Sequence, residues 1–175
     1  MGARMTQMHF FGRRTHAAVA LLGLIASLAW GAAASADTPR DAGALLGTWQ
    51  FDATKSIFQG AMPYRSATYT FKNTNEGVHV VVRILEGRDT TLHFEYVDRM
   101  DGTFVPVTGN PFYDSESTVW KDAYTAERTE RRASKITGAT VFKVAKDGKS
   151  YTATASRTLP NGTVYTSVIA WNRVE

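Results

Sequence analysis

From residue 44 onward the chain alternates: short segments rich in Val, Thr, Tyr and Phe recur between turn signals, and almost nothing repeats at the helical period. A period of two sends successive side chains to opposite faces of an extended strand, so the pattern commits the chain to sheet. Strands are expected at Leu46 to Phe51, Ala67 to Asn73, Val78 to Leu85, Thr90 to Val97, Thr103 to Val107, Ser117 to Lys121, Tyr124 to Arg131, Ala139 to Val144, Tyr151 to Thr158 and Val164 to Arg173. Between them lie Asn75-Glu76-Gly77, Glu86-Gly87-Arg88-Asp89, Asp101-Gly102, Lys146-Asp147-Gly148 and Pro160-Asn161-Gly162, chemistry suited to tight reversals. Connections this short make sequence neighbours antiparallel partners in a meander.

Register follows from loop length, because a one-residue slip moves every side chain to the other face. A loop over Thr74 to Gly77 sets Phe71 opposite Val80, Tyr69 opposite Val82 and Ala67 opposite Ile84. A loop over Gly87 to Asp89 sets Ile84 opposite Leu92, Val82 opposite Phe94 and Val80 opposite Tyr96. One face of three strands then carries Tyr69, Phe71, Val80, Val82, Ile84, Leu92, Phe94 and Tyr96. The other carries Thr68, Thr70, Lys72, His79, Arg83, His93 and Glu95, and faces water. Closure covers the apolar face and removes the edges, which predicts an all-β, antiparallel up-and-down β-barrel of about 8–10 strands.

The first 36 residues read differently. Met1 to Arg14 is basic and free of acid, Ala17 to Ala34 is apolar, and Ala34-Ser35-Ala36 supplies small residues where signal peptidase cuts. The expectation is a signal peptide over 1–36, export to the periplasm or beyond the cell, and one barrel domain over 37–175 with no membrane span in the mature chain. The net charge of +4 owes three of its basic residues, Arg4, Arg13 and Arg14, to that leader, so the domain is nearly neutral and gives no reason for a nucleic-acid partner. Without cysteine, disulfides, thiol nucleophiles and thiolate metal sites are excluded.

The first strand opens Leu45-Leu46-Gly47-Thr48-Trp49-Gln50-Phe51 and the last ends Ala170-Trp171-Asn172-Arg173. In this the chain resembles the calycin superfamily, lipocalins and fatty-acid-binding proteins, whose first strand carries Gly-x-Trp and whose barrel closes with a basic residue on the final strand. The resemblance implies that Trp49 plugs the closed end and Arg173 covers it. The chain is also similar to small exported bacterial lipocalin-like proteins of unknown function, through Ala53-Thr54-Lys55-Ser56-Ile57-Phe58, Asp101-Gly102, Pro106-Val107-Thr108-Gly109-Asn110-Pro111, Asp114 and Lys146-Asp147-Gly148-Lys149. The stretch from Asp52 to Ser66 is too short for the two-helix lid of fatty-acid-binding proteins.

Three groups of residues are candidates for chemistry. His79, His93 and Glu95 share a face, and two His with a carboxylate is a zinc-ligand set, but Arg83 opposite His93 repels a dication. A solvated face with an Arg83–Glu95 diagonal pair is expected instead, with no metal. Asp98 to Asp114 is a distinctive turn-rich segment whose Asn110, Tyr113 and Asp114 stand as candidate rim contacts for a ligand, weighed against a purely structural turn cluster. The mixed-charge run Tyr124 to Arg132 reads as an exposed strand.

The function expected is therefore non-catalytic binding of a small apolar or aromatic molecule, lined by Tyr69, Phe71, Val82, Phe94 and Tyr96, with no cofactor. An enzyme of the isomerase, cyclase or hydratase kind, working through buried tyrosine and carboxylate groups, is the alternative in a second class. A structural envelope module with a filled barrel is the third. A cavity-free core points to the last, and a carboxylate buried against Tyr69 or Tyr96 to the enzyme.

Overall fold

The computed structural model describes residues 41–59, 64–87, 90–159 and 161–175. The expected signal-peptide boundary lies outside these. A 3-10 turn over Gly43–Leu45 leads into ten strands: β1 (Gly47–Ile57), β2 (Tyr64–Thr74), β3 (Gly77–Glu86), β4 (Thr90–Asp98), β5 (Val105–Pro106), β6 (Ser115–Trp120), β7 (Thr125–Arg132), β8 (Lys135–Val144), β9 (Ser150–Thr158) and β10 (Val164–Arg173). All neighbours are antiparallel, and the sheet order runs β4-β3-β2-β1-β10-β9-β8-β7-β6-β5. The ends of that order approach without a hydrogen-bonded ladder among the described residues, with Gly109 just past β5 against Phe94 of β4. The result is an up-and-down barrel, nearly closed. Among the described residues no helix is long and apolar enough to cross a membrane.

The register over β2, β3 and β4 is the one the loops dictate: Phe71 pairs with Val80, Tyr69 with Val82, Val82 with Phe94 and Val80 with Tyr96. Phe71, Val80, Val82, Ile84, Phe94 and Tyr96 are buried, while Lys72, Arg83 and His93 face water. On the outer face Arg83 does sit opposite His93, but Glu95 pairs with His79 at 3.3 Å rather than diagonally with Arg83. The shorter imidazole on β3 already lies within reach.

β1 runs six residues further than alternation predicts. Its pairing with β10 slips between Asp52 and Ile57, where Asp52 accepts hydrogen bonds from the Thr54 amide, the Thr54 hydroxyl and the Asn172 amide group. The Ser56 hydroxyl donates to the Asp52 carbonyl and accepts from the Ala170 amide, standing in for a missing ladder acceptor. Side-chain oxygens thus carry the strand through a bulge that a period-two reading cannot follow.

One end of the barrel is sealed. Trp49 is fully buried, its indole N–H donates to the Leu45 carbonyl at 2.7 Å, and the Arg173 guanidinium lies 4.2 Å from its ring. Arg173 also donates to the carbonyls of Gly148, Ala44 and Leu46. Gly47, at φ +114°, is required here, because a Cβ would collide with the Glu175 carbonyl and the Arg173 guanidinium.

Candidate functional site

Strand pairing arranges the inner face of β6 to β10 in rows. Glu116, Glu130, Gly138, Arg157 and Tyr165 form one; Thr118, Arg128, Thr140, Ala155 and Ser167 form the next. Ala126, Phe142, Ala153 and Ile169 follow, and Val144, Tyr151 and Trp171 lie toward the sealed end. Two charged and polar rows therefore stand above two apolar ones. The run expected to be an exposed strand is corrected by this: Arg128 is 7% exposed and Glu130 1%, both inside the barrel.

The reversal has a local cause. Ladder counting back from the β7–β8 turn at Ala133-Ser134 would turn Glu127 and Thr129 inward, but the pairing shifts by one residue between Glu130 and Arg131. That bulge sets Ala126 opposite Phe142, and with it Arg128 and Glu130 point into the barrel.

Buried charge survives only when paired. Arg128 Nη2 donates to Glu130 Oε1 at 2.9 Å, Arg157 Nε donates to Glu130 Oε2 at 3.2 Å, and Arg128 Nε lies 3.3 Å from Glu116 Oε2 without hydrogen-bond alignment. Arg128 stacks over Phe142 at 5.1 Å and Tyr113 at 5.6 Å, and Arg157 over Phe112 at 4.9 Å. Gly138 makes room for the pair: a Cβ there would lie 2.6 Å from Glu130 Oε2 and 3.2 Å from Arg157 Cγ.

The two glutamates behave oppositely. Burial would raise Glu130, but the guanidinium groups of Arg128 and Arg157 outweigh it and hold the carboxyl below its ordinary value. At Glu116 burial dominates and pushes the carboxyl well above the usual range, only partly opposed by Arg128 and reinforced by neighbouring Asp98. Glu116 is 0% exposed and stands beside Asp98, surroundings that favour the neutral acid over a carboxylate. Burial likewise raises Tyr69, Tyr96, Tyr113 and Tyr151, and lifts Tyr64 to about 12. These phenols keep their protons and present donors.

A cavity of about 140 Å³ opens beside the charged rows. Phe58, Tyr64, Tyr69, Ile84, Phe142, Tyr151, Ile169 and Trp171 wall it, the small residues Ala153, Ala155, Ser167 and Thr140 leave its space, and Arg128, Arg157 and Tyr165 complete the lining. Among the described residues no carboxylate belongs to that lining. It reaches solvent at Arg157 and Tyr165, both partly exposed.

Of the residues named from sequence as ligand contacts, Tyr69 lines this cavity. Phe71, Val82, Phe94 and Tyr96 are buried but fill the opposite side of the interior. Tyr113 is buried under Arg128, its hydroxyl without a hydrogen-bond partner. Asn110 and Asp114 hold turns instead: Asn110 accepts from the Phe112 amide at 2.8 Å, and Asp114 from the Ala133 amide at 2.7 Å. Glu116, Arg128 and Glu130 escaped the sequence reading because β6 and β7 carry no alternating apolar face, and Arg157 because it continues the small-residue face of β9 beyond Ala153 and Ala155. The signal was Phe142 and Val144 on β8, whose alternation fixes the inner side of β7 once the bulge is known.

No family model matches the chain, and no curated protein does. Among solved structures the chain is similar to a zebrafish ileal bile acid-binding protein complexed with cholic acid, at 7% identity and a TM-score of 0.46, with 75% of this chain and 99% of that one covered.

Proposed function

We propose that the protein is an exported, non-catalytic carrier that holds a small, negatively charged apolar or aromatic molecule inside the barrel. The observation that carries this is the cavity lining: two guanidinium groups, tyrosine hydroxyls and aromatic walls, with no carboxylate among the described residues. Arg157 is the contact for the negative group. Its Nε serves Glu130, while its terminal amines have no hydrogen-bond partner among the described residues, which leaves a planar fork suited to a carboxylate. A filled structural barrel is disfavoured by the cavity itself, since close-packed interiors leave few voids larger than water.

Catalysis has one observation in its favour, Glu116 buried next to Tyr96 and Tyr113. Glu116 does not line the cavity, however, so no ligand atom there meets its proton directly. Binding is the stronger reading. Export rests on the leader-like residues 1–36.

Native mass spectrometry of protein purified from its own host is expected to find a co-purifying organic acid that Arg157→Gln releases from a barrel that circular dichroism shows still folded, at a lowered melting temperature because Glu130 loses one of its two guanidinium partners. A neutral passenger, or one that Arg157→Gln retains, would refute the anionic part. The same material should begin at Asp37, and an intact Met1 on exported protein would reject the processing site.

A further inference from the structure

The cavity has room for about one ring and not for a long chain. Its 140 Å³ is close to the roughly 150 Å³ that accommodates benzene in an apolar protein interior, and well below the 300 Å³ or so at which ordinary ligand pockets begin. Its floor is built of rings in mutual contact. Tyr151 stacks on Trp171 at 5.7 Å and meets Phe142 edge-on at 6.0 Å, and Trp49 stands behind Tyr151 at 4.8 Å. Beyond Trp49 lies the Arg173 seal, so nothing longer than the cavity can thread through.

Its width has a separate origin. β9 turns Ala153 and Ala155 inward where β8 carries Phe142 and Thr140, and this pair of methyl groups leaves the gap. Around it the rings stand mostly edge to face: Tyr69 against Trp171 at 5.0 Å and 78°, Phe51 against Tyr64 at 5.8 Å and 87°, Phe58 against Tyr64 at 6.0 Å and 87°. Such a box offers both ring edges and ring faces, the complementary partners of a further aromatic ring.

Resting on the anion-binding reading above, we infer that the ligand is a single-ring aromatic acid. Its carboxylate lies on Arg157 at the mouth, its ring lies over Ala155 and Ala153, and long acyl chains are excluded by the aromatic floor. Ala155 is then a specificity-determining residue, since a larger side chain there takes the place of the ring. Hydrocarbon chains gain no edge-to-face contacts from such walls, and a twelve-carbon acid would have to leave most of its length in water.

The test is calorimetric titration of the protein with benzoate, octanoate and laurate, on wild type and on Ala155→Leu. Benzoate is expected to bind at least tenfold more tightly than octanoate, laurate to give no saturable heat, and Ala155→Leu to lose at least tenfold in benzoate affinity. Should that variant fail to fold, Ala153→Val serves in its place, and the wild-type order of the three acids decides independently. Laurate or octanoate binding as tightly as benzoate would overturn the ring inference while leaving anion binding intact, and so would benzoate affinity unchanged in the leucine variant. Silence from all three acids would overturn anion binding itself.

Discussion

The barrel is filled in two ways. On β2 to β4 the interior is hydrocarbon and ring: Phe71, Val80, Val82, Ile84, Phe94 and Tyr96, buried because water gains by losing them. On β6 to β9 it is Glu116, Arg128, Glu130 and Thr140, equally buried, held in place by one another. The apolar side tolerates neighbours that merely fit. The charged side needs each partner present, because removing one leaves the other uncompensated. The cavity opens along the charged side, where small residues flank fixed guanidinium groups, and the close-packed side contributes little more than Tyr69 and Ile84 to its wall.

The largest effects should expose the difference in kind. Phe94→Ala is expected to destabilise by about 3–5 kcal/mol through its cavity, and Arg128→Ala by about 3–5 kcal/mol because buried Glu130 is left with Arg157 as its one remaining partner. Urea denaturation of the two will give similar losses, and the third variant separates them. Replacing Glu116 with Leu, Arg128 with Met and Glu130 with Leu together should recover most of the Arg128→Ala loss, since apolar side chains of similar volume remove the fully buried charge and Arg157, which loses Glu130, is already 32% exposed and can turn to water. No second substitution of that kind rescues Phe94→Ala. Failure of the triple variant to recover stability would mean that the charged rows define the strand register as well as fill it.

That contrast also explains what the sequence discloses. Alternation is a record of which face is apolar, so the pairing of β2, β3 and β4 could be set to the residue, though β2 begins three residues earlier than expected. Ten strands could be counted from turn chemistry. On β7 both faces carry charge, and nothing in Ala126-Glu127-Arg128-Thr129-Glu130-Arg131 marks a side. The single-residue bulge at Glu130 and Arg131 then decides it, and a bulge is a property of the pairing rather than of either strand. The cavity was hidden for the same reason: Ala153 and Ala155 are ordinary strand residues until Phe142 is known to stand beside them.

A smaller effect, confined to pH, distinguishes the two glutamates. Glu116 has a raised pKa in the fold, so the folded state binds its proton more readily than the unfolded chain, and its contribution falls as pH rises above the ordinary glutamate value of about 4.3. Glu130 has a lowered pKa, so its contribution is present above that value and is lost as pH falls through the folded one. Glu116→Gln should therefore flatten the decline of stability on the alkaline side of pH 4.3 and leave the acid limb in place. Denaturation midpoints from pH 3 to pH 8 test this, and a variant whose alkaline limb still declines as in the wild type would show that Glu116 is ionised in the fold.

The smallest expected effect is the sharpest check on which way β7 faces. Glu127 and Glu130 stand three residues apart on one strand, so alternation puts them on opposite faces, and the bulge decides that Glu130 is the one inside. Glu127 pairs with Lys121 at 3.3 Å on the surface, both side chains about half exposed, the kind of ion pair that contributes little once side-chain entropy and screening are counted. Glu127→Gln is therefore expected to change stability by no more than about 0.5 kcal/mol. Glu130→Gln keeps the shape but removes the negative charge shared by Arg128 and Arg157, and the cost falls in the range of about 3–5 kcal/mol for breaking a buried pair. Two identical substitutions on neighbouring turns of the pleat thus differ by several kcal/mol. Unbulged pairing from the Ala133-Ser134 turn would reverse the order, so a costly Glu127→Gln beside a silent Glu130→Gln would move the charges back to the surface and take the anion site with them.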